Sequence, residues 1–139
     1  MSRLRTAPDL SFLSGATVTR VYLDQHGAGF LLDLGPPNGI YDWRVNQVFH
    51  VQVAGTFTES DPDDSTSMMP FFSTLGSTVE KAALDPDGRI RFTLAGRIEV
   101  ECGSDPSYEA WQLNGPGGFL IVCLPGGGVA TWDNGQDSS

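Results

Sequence analysis

The sequence predicts a mainly β fold, an antiparallel sandwich or partly open barrel, and three observations carry that expectation. Seventeen glycines and nine prolines are spread through 139 residues, so the chain is punctuated into short runs joined by turns. Between those turns the apolar residues alternate with period two or run continuously, as strands do, and one short segment alone fits a helix. Two segments, 13–34 and 73–94, also resemble each other at one constant offset. Gly15, Thr17, Val18, Leu23, Asp24 and Gly27 match Gly76, Thr78, Val79, Leu84, Asp85 and Gly88.

Each copy reads as a hairpin. Val18, Val21 and Leu23 are echoed by Val79, Ala82 and Leu84, a shared break in alternation that predicts a bulge inside the first strand of each. "LDQHGAG" and "LDPDGRI" supply the Asp and Gly of a tight connection, with Gly where φ must be positive. A third strand follows in each half, "NQVFHVQVAGTF" in the first and "GRIEVEC" in the second. In the latter Ile98, Val100 and Cys102 face one way and Arg97, Glu99 and Glu101 the other. The fold is thus expected from two pseudo-repeated three-stranded halves plus a C-terminal hairpin, with one short helix between the halves. Asp64 or Ser65 would cap that helix, Met68, Met69, Phe72 and Leu75 would share its apolar face, and Gly76 would stop it. Pro70 limits it to a few residues. The hairpin comes from "FLIVCL", apolar at every position and so buried on both faces, followed by Pro125, three glycines and the returning strand "VATW". Residues 1–12 read as an N-terminal extension, 13–132 as one domain (repeat units 13–58 and 73–102, closing segment 107–132), and 133–139 as a disordered tail.

Charge narrows the partners. Eight basic against seventeen acidic residues give a net charge of −9, which repels nucleic acid and anionic lipid and suits a cationic protein. The N-terminus has no apolar core of a signal peptide, no run is long enough to span a membrane, and two cysteines make no disulfide scaffold. The expected setting is soluble and cytoplasmic.

The chemistry-bearing motifs thin out on inspection. Gly126, Gly127 and Gly128 follow a strand as in a phosphate loop, but no Lys and no helix come after them, so they read as a turn. The segment 85–88 has its Gly too early for a calcium loop, and Glu59, Asp61, Asp63 and Asp64 read as a solvated acidic loop. His26 falls at a hairpin tip and His50 within a strand, Cys123 reads as an inert core thiol and Cys102 as core-facing, and the two Cys and two His lack paired zinc spacing. No catalytic residue, metal or cofactor is expected.

One segment breaks the repeat. "GPPNGIYDWRVN" stands where the second copy has only Ala95 and Gly96, and it presents Tyr41, Trp43 and Arg44, residue types that dominate binding hot spots. The competing reading is an ordinary strand with Tyr41, Trp43 and Val45 turned inward. The stretch 107–132, "SYEAWQLNGPGGFLIVCLPGGGVATW", together with the L-x-G-x-T-V segment at 13–18 and its variant at 75–79, resembles a family of small actinobacterial proteins of unknown function. That resemblance implies a free-standing domain and transfers no activity. The leading functional expectation is a non-enzymatic protein-binding module, of which an immunity-type inhibitor of a basic toxin is one form, with Tyr41, Trp43 and Arg44 as its contacts. The alternative is a small-molecule-binding β-barrel whose cavity Trp111 and Trp132 would line.

Overall fold

The computed structural model describes residues 2–3 and 7–132; the tail expected to be disordered, 133–139, lies outside the described residues. Its strands are β1 (Ser2–Arg3), β2 (Thr17–Asp24), β3 (Gly27–Asp33), β4 (Ile40–Val45), β5 (Phe49–Val53), β6 (Thr56–Ser60), β7 (Val79–Leu84), β8 (Ile90–Leu94), β9 (Ile98–Cys102), β10 (Trp111–Asn114), β11 (Leu120–Cys123) and β12 (Val129–Trp132). They form two antiparallel sheets, β1-β12-β11-β10-β4-β3-β2 and β6-β5-β9-β8-β7. The fold is mainly β and sandwich-like, without a closed barrel.

The two resembling segments meet at the sheet edges. Gly15 N–H donates to Val79 O and Gly76 N–H to Val18 O; Val18 N–H donates to Ser77 O and Val79 N–H to Ala16 O, each at 2.8 Å. Exchanging the copies turns each of these bonds into another of the set. Both expected bulges are present, between Val18 and Arg20 and between Val79 and Lys81. Each bulge bends its strand at the point where β2 and the start of β7 bond across from one sheet to the other.

The third strands differ from the sequence expectation. β4, not β5, pairs with β3 as β9 pairs with β8. The apparent insertion is therefore the loop before β4 plus β4 itself, the counterpart of β9. Segment 46–57, read as one strand, spans β5 and the start of β6, because Ala54 (φ 50) and Gly55 (φ 90) turn the chain in the left-handed region that closes a two-residue hairpin. After β4 the chain crosses into the smaller sheet, where β5 lies beside β9. After β9 it crosses back, and β10 lies beside β4. The crossings are mutual: each half gives three strands to one sheet and a hairpin to the other, and the second half adds β12 beside its hairpin.

Inward residues of both sheets meet in an aromatic core. The Phe30 and Phe92 rings touch at 5.2 Å, and Trp43 lies 5.3 Å from Phe92 and 5.8 Å from Phe49. The linking helix α1 (Met69–Phe72) follows a 3-10 turn at Ser65–Met68, with Pro70 in its first turn. It buries Met68 and Phe71, three apart as a tight turn requires, while Met69 and Leu75 of the expected apolar face are exposed. No Asp64 or Ser65 side chain caps it. Phe71 plugs the core against Phe49 at 4.9 Å and Phe30 at 5.3 Å. The closing strand is buried on both faces, as its unbroken apolar run implies: Ile121 and Cys123 join the inter-sheet core, and Val122 is buried on the opposite face.

Candidate functional site

The two crossing loops come together at one end of the sandwich. Asn46 N–H donates to Ala110 O at 3.1 Å, and Gln47 Nε2 donates to Gly103 O at 3.0 Å, so the β4–β5 and β9–β10 connections brace each other. Around this junction the β2–β3 hairpin tip (Gln25, His26) and the turn after β6 (Asp61, Pro62, Asp63) complete an open groove of about 520 Å³. Val48, Asp105 and Tyr108 line its walls.

Asp61, Asp63 and Asp105 make the groove acidic, and among the described residues no Lys or Arg lines it. Two of these carboxylates also shape their own loops. Asp61 Oδ1 accepts from Asp63 N–H at 2.9 Å, and Asp105 Oδ1 accepts from Ser107 N–H at 2.7 Å. Each retains a second oxygen free of such a bond. Val48 and Tyr108 are exposed here at 43% and 52%, which places apolar and aromatic surface among the charges. The arrangement can hold a cationic, partly apolar chain. Among the described residues no group of three or more His, Cys, Asp or Glu is placed to hold a metal ion.

Arg44, Arg89 and Arg91 are engaged elsewhere. Arg44 reaches Asp24 at 3.3 Å and lies 5.0 Å over the Tyr22 ring, whose hydroxyl donates to Asp42 Oδ1 at 2.6 Å. Gly29 makes room for that ring, because a Cβ there would meet the Tyr22 hydroxyl and the Trp43 carbonyl. Burial, then the Asp42 carboxylate, push the Tyr22 phenol well above its usual range. On the outer face of the smaller sheet Arg91 donates to Glu101 at 2.6 Å, and Arg89 sits 3.5 Å from the same carboxylate.

The residues singled out in the sequence are placed as follows. Trp43 is fully buried among Phe30, Phe49, Phe71 and Phe92, so it is a core residue and not a surface contact. Alternation along a strand with one buried face wins over the hot-spot reading. Tyr41, half-buried, packs on Phe12 at 5.2 Å and Phe119 at 5.2 Å, and Arg44 points to the other face into its ion pair. The three do not form one exposed patch. Trp111 is buried, with Nε1 donating to Gly88 O at 2.9 Å. Trp132 pairs with Leu120, and Leu120 with Asn114, which puts it on the opposite face of the larger sheet from Trp111. They do not line one cavity between the sheets.

The glycine run is a turn whose N–H groups are spent. Gly126 N–H donates to Asp105 O, Gly127 N–H to Leu124 O and Gly128 N–H to Asp87 O, at 2.8, 3.0 and 2.9 Å. A phosphate would find no free donor among them. His26 contacts Gln25, and His50 contacts Glu59 at 3.8 Å and the Phe57 ring. Cys102 and Cys123 are buried and free. Burial raises the first thiol to about 12 and the second to about 11, so both are protonated near neutrality and neither is a ready nucleophile.

The groove went unread in the sequence because its four loops are far apart along the chain. The acidic turn at 61–64 was visible as a charge run, but nothing local says that 104–108 returns beside it. Among the described residues no helix is long and apolar enough to cross a membrane.

A family of unknown function, DUF6188, matches residues 10–133, and the chain belongs to it. No curated protein matches it, and no solved structure does.

Proposed function

Taking the chain as a member of that family of unknown function, we propose that it is a non-enzymatic protein-binding module that receives a cationic protein in the groove between the crossing loops. The observation that carries this reading is the groove itself: Asp61, Asp63 and Asp105 line a space to which, among the described residues, no Lys or Arg contributes, beside exposed Val48 and Tyr108. The net charge of −9 adds long-range attraction for a basic partner and speeds its encounter. Neutralisation of a basic toxin, as an immunity-type inhibitor does, is the biological role that fits this charge best.

The test is a calorimetric titration with the product of the gene adjacent to this one, provided it is basic. Converting Asp61, Asp63 and Asp105 together to Asn keeps the Oδ1 acceptors of their turns and removes the charge. That variant should bind on the order of tenfold more weakly, with a shallower dependence on salt. Unchanged affinity in the variant would contradict the reading.

A further inference from the structure

The four sheet edges are not alike. β1 is only two residues long. β2 and β7 each carry a bulge and bond to each other at Thr17 and Thr78, and Ser14 Oγ donates to Glu80 O at 2.9 Å over the β7 edge. β6 carries no bulge and no bridge to the other sheet; the 3-10 turn at Ser65–Met68 meets its end, where Ser60 Oγ donates to Ser67 O at 3.0 Å. It pairs with β5 over five consecutive positions without a shift in register. The two-residue turn makes Val53 and Thr56 a hydrogen-bonded pair, so Thr58 and Ser60 also bond to β5, and the N–H and C=O of Phe57 and Glu59 point away from the sheet. Among the described residues no partner meets them. A regular, unprotected edge of this kind is a template for another strand.

The internal symmetry says what is missing. β10 lies beside β4 as β5 lies beside β9, so β11 is the counterpart of β6. β11 has a further antiparallel neighbour, β12, whereas among the described residues no strand lies beyond β6. Charge says what would fill it. Residues 49–64 hold no Lys or Arg, and Glu59 on the edge is followed by Asp61 and Asp63 in the groove. A second copy of the chain would bring the same net charge of −9 against it.

We infer that the free edge of β6 is completed in the bound state by an extended cationic segment of the partner, antiparallel to β6, in the place that β12 takes beside β11. This rests on the protein-binding reading above and names its mode of contact. Phe57 and Glu59 share the outer face, and Phe57 is 59% exposed with its ring 4.8 Å from that of His50. The added strand therefore carries a basic residue opposite Glu59 and an apolar one opposite Phe57, in the order basic–any–apolar. Further basic residues precede them, alongside Asp61 and Asp63. Backbone bonds to the edge supply affinity, and the alternating side chains supply selectivity.

The probe is the synthetic peptide acetyl-Lys-Arg-Lys-Thr-Arg-Thr-Val-Thr-amide, added to the full chain, with a second version N-methylated at its last Arg and at Val. Methylation keeps every charge and removes the two N–H groups that would face β6. The first peptide should slow hydrogen exchange of the Phe57 and Glu59 amides by about tenfold or more and leave Thr58, already bonded to β5, unchanged. The methylated version should bind at least about tenfold more weakly. Equal binding of both peptides, with changes at Asp61, Asp105 and Tyr108 only, would overturn strand addition while leaving the protein-binding reading standing. Binding of neither peptide would overturn the strand inference, whereas the reading itself falls only with the charge-neutralised titration. Concentration-dependent protection of the same two amides without peptide would assign the edge to a second copy of the chain instead.

Discussion

Trp43 is where a single side chain decides between two accounts of the molecule. Its ring touches Phe30, Phe49, Phe71 and Phe92, and its Nε1 is buried without a hydrogen-bond partner. Truncation to Ala should cost about 3–5 kcal/mol, seen as a large fall in melting temperature. Trp43→Phe should cost clearly less, because it also removes a buried unpaired donor that is itself unfavourable by about 1–3 kcal/mol. A near-normal melt of the Ala variant would return Trp43 to the surface. The thiols give a second residue-level prediction, in pH. Cys102 and Cys123 rise from 9.0 to about 12 and about 11 on folding, so the unfolded chain loses its thiol protons first. Stability should therefore be fully present below pH 9, fall as pH rises toward 11–12, and level off above that. Replacing both cysteines with Ala should flatten this part of a chemical-denaturation series. An unchanged slope would mean that the thiols are not buried.

The β5–β6 hairpin shows what an element reveals of itself and what it hides. Its turn places Ala54 at φ 50, where a Cβ is strained and Asn is tolerated. Ala54→Asn should stabilise the protein by about 1 kcal/mol in urea unfolding, and a loss of stability would show that the turn is of another type. The hairpins at 17–33 and 79–94 were legible because bulge, Asp and Gly fall at matching positions in both copies. The β5–β6 turn was not, since Ala54 and Gly55 lack the Asn or Asp that marks such a connection. Alternation told which residues of β4 and β9 face inward but not which sheet the next strand joins. Both crossings are therefore invisible in the sequence, where β4 looks like an insertion. The linking helix was placed correctly and its buried face was not, because a 3-10 turn leading into a single helical turn buries Met68 and Phe71 rather than a long helical stripe.

At the scale of the whole molecule, the mutual exchange of hairpins ties the two sheets together and brings both crossing loops to one end. The same exchange creates the groove and leaves β6 as the unprotected edge beside it. Arg44, Arg89 and Arg91 pair with Asp24, Glu99 and Glu101, and among the described residues no Lys or Arg lines the groove at the loop end. The central claim is that a cationic partner docks at this end. Chemical-shift mapping of the isotope-labelled chain against the product of the adjacent gene, provided it is basic, tests it most directly. The account predicts salt-sensitive shifts at His26, Gln47, Val48, Asp61, Asp63, Asp105 and Tyr108, continuing along Phe57 and Glu59, with little change at Tyr22, Asp42 and Arg44. Shifts centred on Tyr22, Asp42 and Arg44, with the loop end silent, would contradict it.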